Sequence, residues 1–192
     1  APFVSVPTVE THTRIISYNF EALEDIPDIP GPKFVFAHIV SPHPPFVFDQ
    51  FGNPLDTGYG FRFADGSDFP GTREQYRLNY IAQVQFVNIH LKQVVAKILQ
   101  DSETPPIIIL QADHGPGMFT DFTSSSQTCL RERFSSFAAY YLPGVDSRVI
   151  PSDITSVNIF RVVFNEYFGT NLTPLKNAYY FHREEMYIFH LE

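Results

Sequence analysis

Helical periodicity is strongest in the middle of the chain. From Thr72 to Gln100 the apolar residues recur at spacings of three and four, at Tyr80, Val84, Val87, Leu91, Val94 and Ile98. This spacing predicts one long amphipathic helix that ends before Pro105. Two further helices are predicted, one from about Thr11 to Leu23 and one that begins at Ser152 or Asp153 and stops at Gly169.

Apolar runs without a helical period predict strands. Lys33–Val40 and Ile107–Ala112 are short and rich in β-branched or aromatic residues, and Phe137–Leu142 is a third such run. Tyr179–Phe181 and Met186–Phe189 predict two edge strands. A long helix between two apolar strands is typical of a βαβ unit, so the sequence predicts an α/β fold with a parallel sheet buried on both faces.

The segment between Ser41 and Gly71 has neither period. It is rich in Pro, Gly, Asp and Phe, and it lies between the first predicted strand and the long helix. Irregular segments much longer than about 12–15 residues are uncommon in compact domains and are often functional. We therefore expect part of the functional site in this loop.

Composition narrows the classes of function. The 192 residues, 44% of them hydrophobic, favour a single domain covering residues 1–192. The net charge of −8 and the lack of a basic run argue against a nucleic-acid partner. One cysteine, Cys129, excludes a disulfide within the chain. No apolar run approaches the about 20 residues of a membrane span.

Polar residues follow two of the predicted strands. His43 comes after Lys33–Val40, and Asp113-His114-Gly115 comes after Ile107–Ala112. If these strands are parallel and adjacent, the three polar side chains converge on one edge of the sheet. A carboxylate oxygen beside an imidazole nitrogen suits Zn or Mn better than Ca. The alternatives are an ordinary turn after the strand and, for His43, a loop residue held among prolines.

The other candidate groups have weaker support. His38 is predicted to be a core histidine and His90 a surface residue of the long helix. No neighbouring motif gives a role to the remaining histidines, His12, His182 and His190. Five arginines could bind an anion, but solvation or a salt bridge is the better explanation for each: Arg62, Arg73, Arg77, Arg131 and Arg133.

Four segments in this order resemble a known family. Lys33–Ile39, Pro42–Phe46, Ile109–Gly115 and Arg133–Gly144 resemble bacterial membrane-anchored sulfatase-like proteins of the alkaline phosphatase superfamily, which are similar to lipoteichoic acid synthases and phosphoethanolamine transferases. The resemblance covers roughly residues 33–169. It implies an alkaline phosphatase-like α/β fold, a mostly parallel sheet flanked by helices on both faces, here incomplete at its N-terminal side.

The resemblance also implies roles for individual residues. Asp113 and His114 match the paired metal ligands of the family, and His43 matches the histidine that faces the phosphate group of the substrate. The implied cofactor is a divalent ion, Mn, Zn, Mg or Ca. The implied chemistry is attack by a metal-activated Thr, Ser or modified Cys on a phosphate or sulfate ester, followed by transfer to water or another acceptor.

Two departures from the family pattern limit this expectation. The family's nucleophile and further acidic ligands lie upstream of the segment that matches Lys33. The chain is therefore expected to be the C-terminal part of a catalytic domain, inactive without its N-terminal half, and it could lack the metal. Cys129 is rejected as the nucleophile because Cys129-Leu130-Arg131 lacks the proline of the sulfatase motif and follows the metal motif. A second histidine after Gly115 is also missing before His182.

Three hypotheses follow from these observations. The first is that the chain is part of a hydrolase or transferase. The parent protein would be anchored in a bacterial membrane, with this domain at the extracytoplasmic face. The aromatic residues of its loop could then line a site for a lipid-linked substrate or simply pack the loop onto the domain. These residues are Phe46, Phe48, Phe51, Tyr59, Phe61, Phe63 and Phe69. The second is a degenerate, non-catalytic binding or structural domain. The third is an unrelated α/β domain in which Asp113-His114-Gly115 is only a turn.

Overall fold

Two helices form the frame of the first unit, Ala1–Thr104, in a computed structural model that describes residues 8–182 and 189–191. Helix α1 spans Val9–Glu24, and helix α2 spans Arg73–Asp101. Thr72 caps α2 and forms a capping box with Gln75, which satisfies two backbone amides of the first turn. Both predicted helices are confirmed, with bounds within two residues of those expected.

The core of this unit lies between the two helices and the irregular segment that joins them. Its buried members are Ile16, Phe20, Val47, Phe48, Phe86, Val87 and Val94. The rings of Phe48 and Phe86 stack with centroids 4.1 Å apart. The apolar side chains of the loop after Ser41 therefore pack it against the two helices. On α2, none of the apolar positions predicted to face the core is exposed.

The strand predicted over Lys33–Val40 is wrong for this structure. These residues form no β-ladder, and Phe34 and Phe36 are 88% and 81% exposed. An apolar, β-branched run only favours the pleated conformation, whereas a strand also requires a partner whose backbone groups face its own. The composition of the segment was read correctly, but no partner pairs with it among the described residues.

The second unit, Pro105–Glu192, contains the described strands. Its elements are β1 (Ile108–Gln111), α3 (Leu130–Phe134), β2 (Ala138–Tyr141), α4 (Ser156–Phe168), β3 (Tyr180–His182) and β4 (Phe189–Leu191). Helix α4 begins after Thr155, a few residues later than predicted, and ends at Gly169, whose φ of 63° is the left-handed conformation expected of a C-terminal glycine.

The expectation of a mostly parallel sheet is corrected by the pairing of these strands. β1 pairs with β2 in antiparallel register, from Ile108 opposite Tyr141 to Gln111 opposite Ala138, and β3 pairs with β4 in the same sense. A parallel pair needs a crossover long enough to return the chain to the starting end of the sheet. Helix α3 has only five residues and does not provide this return.

Three further predictions concern the number of domains, the last strand and membrane-spanning helices. The single domain over residues 1–192 stays a prediction, since the chain is described as two units, each by itself. Of the strand predicted at Met186–Phe189, residues 186–188 lie outside the described part. No helix within residues 8–182 and 189–191 is both long and apolar enough to span a membrane.

Candidate functional site

The His43 segment is held in place by a buried side chain of α2. Gln83 is fully buried, and its Oε1 accepts hydrogen bonds from the backbone N–H groups of Val47 at 2.7 Å and Phe48 at 3.3 Å. Its Nε2 donates to the carbonyl oxygen of His43 at 3.3 Å. Helix α2 therefore fixes the backbone on which His43 stands, through three hydrogen bonds from one residue.

The imidazole of His43 faces a buried carboxylate. Its Nε2 lies 3.9 Å from Oδ2 of Asp65, and the side chains of His43 and Asp65 are 27% and 6% exposed. The hydroxyl of Tyr76, on the first turn of α2, donates to Oδ1 of Asp65 at 2.8 Å. Sequence analysis missed both Asp65 and Tyr76, because no motif surrounds them and their contact depends on how the loop folds.

His12 is the third residue that sequence analysis missed. It lies on α1, is 6% exposed, and packs edge-on against Phe61 and Phe63 with ring centroids 5.4 Å away in each case. Burial lowers the pKa of His12, and the charge of nearby His43 lowers it further, against a smaller opposing effect of a hydrogen bond to Val40. The burial of His12 could have been predicted from its spacing. His12, Ile16 and Phe20 are four residues apart and therefore lie on the same, buried face of the helix.

We expect the first unit to lose stability as the pH falls below about 6.5, the ordinary pKa of histidine. The lowered pKa of His12 means that the unfolded chain takes up this proton at a higher pH than the folded chain. The loss can reach at most about 1.4 kcal/mol per pH unit for one proton. Urea unfolding at several pH values would measure it, and His12→Gln should flatten the slope. An identical slope in that variant would contradict the assignment.

An aromatic hollow lies beside His43 in the same unit. It is lined by Pro44, Pro45, Phe46, Thr57, Tyr59, Gly60, Arg62, Ala64, Phe69 and Pro70. The ring of Phe69 packs against Tyr59 and Tyr76 with centroids 5.7 and 5.0 Å away. These contacts favour the interpretation in which the rings pack the loop onto the domain, while Arg62 places a cationic side chain at the hollow.

Asp113 and His114 follow β1 in the second unit, as predicted. Oδ1 of Asp113 accepts the N–H of His114 at 3.0 Å, and Oδ2 of Asp113 lies 3.5 Å from Nε2 of His114. Nδ1 of His114 lies 2.8 Å from the carbonyl oxygen of Gly115. A carbonyl only accepts, so Nδ1 carries a proton, and in the neutral form of this tautomer the lone pair is at Nε2.

Gly115 allows the chain to pass close to α3. Its N–H donates to the carbonyl of Arg133 at 2.8 Å, and a Cβ atom here would lie 2.0 Å from the carbonyl oxygen of Glu132. The φ of Gly115 is not left-handed, so the close approach of the backbone explains why a glycine stands here. Nη1 of Arg133 donates to the Gly115 carbonyl at 3.4 Å, so both backbone groups of Gly115 are bonded to this residue of α3.

The donors of Asp113 and His114 fit one divalent ion. Ligands that each lie about 2.0–2.2 Å from a zinc ion can be separated by the 3.5 Å observed here. The side chain of Asp113 is 81% exposed, which leaves room for an ion and its other ligands. Within residues 8–182 and 189–191, no three His, Cys, Asp or Glu side chains are grouped as a metal site, so the structure supplies a pair of donors.

The remaining predictions have mixed outcomes. His38 is exposed, so its assignment to the core is wrong, because the strand that would bury it does not form. His90 is half-buried and stacks on Phe20 at 5.1 Å, so its assignment to the surface is only partly right. His43 belongs to the first unit and the Asp113–His114 pair to the second, and their convergence stays a prediction.

One of three comparisons with known proteins gives a match. The family model described as sulfatase matches residues 10–164, which include both helices of the first unit, the His43 loop and the Asp113-His114-Gly115 turn. Comparisons with curated proteins and with solved structures gave no match. Sulfatases hydrolyse esters of sulfate and related anions and generally use a divalent metal ion. A match over most of the chain shows the family, and this chain belongs to the sulfatase family.

Proposed function

We propose that this chain supplies metal ligands and a substrate-facing histidine to a metal-dependent hydrolase or transferase of phosphate or sulfate esters. Asp113 and His114 hold the divalent ion, and His43 faces the anionic group of the ester. The observation that carries the proposal is the 3.5 Å separation between Oδ2 of Asp113 and the lone pair at Nε2 of His114, directly after β1. When bound, the ion would neutralise negative charge on the ester and activate a nucleophile.

The chain's own residues prepare this arrangement. The carbonyl of Gly115 fixes the tautomer of His114, as an outer hydrogen bond commonly does for a metal-bound histidine. His43 has the partly exposed ring that a substrate-facing residue requires. The Thr, Ser or modified Cys that attacks the ester in this family is expected upstream of Lys33.

We expect Asp113→Ala and His114→Ala each to weaken binding of Mn²⁺ or Zn²⁺ by about 10- to 100-fold or more. Loss of a residue that hydrogen-bonds a metal ligand has an effect of this size, and loss of the ligand itself should have no smaller one. Titration calorimetry with the metal alone measures this without any enzyme assay. Glu166→Ala, an exposed carboxylate of α4 in the same unit, is the matched control and should bind as the unchanged protein does. Equal affinities in all three variants would remove the pair from the metal site.

His43 and the metal pair are proposed to serve one reaction, and turnover of the His43 variant can test the part of His43. In the protein that turns over an aryl phosphate or aryl sulfate, His43→Ala should lower turnover while the fold stays intact. Full activity of His43→Ala would separate this residue from the reaction.

The membrane setting is a further part of the proposal. The resemblance to lipoteichoic acid synthases and phosphoethanolamine transferases supports a bacterial parent protein that is anchored in the membrane with this domain outside the cytoplasm. The hollow beside His43, with Arg62 and aromatic rings, is compatible with a substrate that carries an anionic head on an apolar body. Faster turnover of a lipid-linked ester than of a soluble aryl ester would support this substrate class.

A further inference from the structure

We propose that Asp65, held by Tyr76, is a positioning residue that orients the His43 ring and stabilises the positive charge His43 gains when it takes up a proton. This inference rests on the proposed role of His43 toward the ester. It concerns a buried carboxylate that sequence analysis did not single out and that the metal pair does not use. All of its parts lie within the first unit, Ala1–Thr104.

The orientation of the His43 ring identifies the nitrogen that Asp65 faces. Nδ1 of His43 lies within hydrogen-bond distance of the carbonyl oxygen of Pro44, the next residue. Because a carbonyl only accepts, Nδ1 must donate, and the second proton of the ring can enter and leave only at Nε2. Nε2 is the atom 3.9 Å from Oδ2 of Asp65, so the carboxylate lies at the nitrogen where proton exchange occurs.

The carboxylate of Asp65 is buried beside the His43 ring. The Asp65 side chain is only 6% exposed, and a buried carboxylate is costly unless hydrogen bonds and an opposite charge compensate it. The Tyr76 hydroxyl donates a hydrogen bond to Oδ1, and Oδ2 is the oxygen 3.9 Å from Nε2 of His43. A negative charge close to Nε2 and shielded from water attracts a protonated ring more strongly than an exposed charge would.

Helix α2 holds both the histidine and its partner. Tyr76 and Gln83 are seven residues apart, so they lie on the same face of the helix two turns from each other. Gln83 hydrogen-bonds the backbone of His43, while Tyr76 hydrogen-bonds the carboxylate of Asp65. A rigid helix thus sets the separation of two groups that belong to an irregular loop, as a positioned catalytic pair requires.

Aromatic rings and a second histidine enclose the pair. The ring of Phe63 lies 6.3 Å from that of His43 and 5.4 Å from that of His12. His12 is buried on α1, and its Nε2 has no hydrogen-bond partner, which favours the neutral ring. Of the two histidines, the one beside Asp65 is therefore the one placed to take up the proton.

The decisive variant is Asp65→Asn, which keeps the shape and removes the charge. Nitrogen-15 NMR of the ring should show a changed Nε2 chemical shift for His43, with the His114 signals unchanged. The matched control is Asp68→Asn, an exposed carboxylate at the end of the same short 3₁₀ turn, which should leave the His43 spectrum as it is. Should Asp65→Asn fail to fold, Tyr76→Phe removes one hydroxyl and should move the same Nε2 signal in the same direction.

Turnover separates this inference from the proposed function. With an aryl ester, Asp65→Asn should lower kcat by about 10- to 100-fold with little change in KM, since it weakens a proton-handling group without removing a binding contact. An altered His43 spectrum together with full activity of His43→Ala would preserve the positioning contact and reject the role of His43. A His43 spectrum identical in Asp65→Asn, Tyr76→Phe and the unchanged protein would overturn the positioning role itself.

Discussion

Gly115→Ala is expected to destabilise the second unit by at least about 3 kcal/mol and to abolish metal binding at Asp113 and His114. The new Cβ would lie 2.0 Å from the Glu132 carbonyl oxygen and 2.8 Å from that of Ser135. Both are backbone atoms, so no side chain can rotate away to make room. The turn or the end of α3 must move, and the hydrogen bond between the Gly115 N–H and the Arg133 carbonyl would be lost with it.

Gly144→Ala separates this steric effect from the ordinary cost of replacing glycine. Gly144 lies in the same unit with a φ of 78°, and nothing lies within 4 Å of the Cβ that would be added. Its replacement should cost roughly 1–2 kcal/mol through the left-handed backbone alone and should leave metal affinity unchanged. Chemical denaturation and calorimetry with Zn²⁺ would measure both quantities. Equal effects of the two substitutions would show that close packing at Gly115 is not what holds the turn.

Elements with local causes could be predicted from the sequence. Helix α2 carries its apolar period, its Thr72 cap and its Gln75 partner within one stretch of chain, and it was predicted nearly to the residue. The strand β1 and the position of Asp113 just after it were also predictable, because a short apolar run followed by polar residues is a local pattern. The family resemblance was carried by such local segments, and the family match confirms it at the level of the sulfatase family.

Features that depend on distant partners could not be predicted in this way. The composition of Lys33–Val40 is that of a strand, yet strand formation depends on a pairing that composition does not contain. The direction of β1 against β2 depends on the path of the chain between them. Asp65 and Tyr76 are eleven residues apart, and their hydrogen bond requires the whole loop to fold back onto α2. The burial of His12 was missed although its helical spacing from Ile16 and Phe20 is a local signal that could have indicated it.

The buried amide of Gln83 hydrogen-bonds the His43 segment at three backbone groups. Its oxygen satisfies the N–H groups of Val47 and Phe48, and its nitrogen donates to the carbonyl of His43. Val47 is fully buried, so water cannot replace this acceptor in the folded protein. Each buried backbone group left without a partner costs about 1–3 kcal/mol. The contact therefore joins the stability of the first unit to the position of its candidate functional residue.

Gln83→Met is accordingly expected to destabilise the first unit by about 2–5 kcal/mol, because methionine keeps the length and most of the volume of glutamine but leaves the two N–H groups without their acceptor. Gln85→Met, an exposed position on the same helix, is the matched control and should stay within about 0.5 kcal/mol of the unchanged protein. Urea unfolding gives the free energies, and hydrogen exchange should show the amides of Val47 and Phe48 losing protection only in Gln83→Met. If both variants unfold at the same urea concentration and retain both protected amides, the loop is held by its apolar contacts with α2 and not by the amide of Gln83.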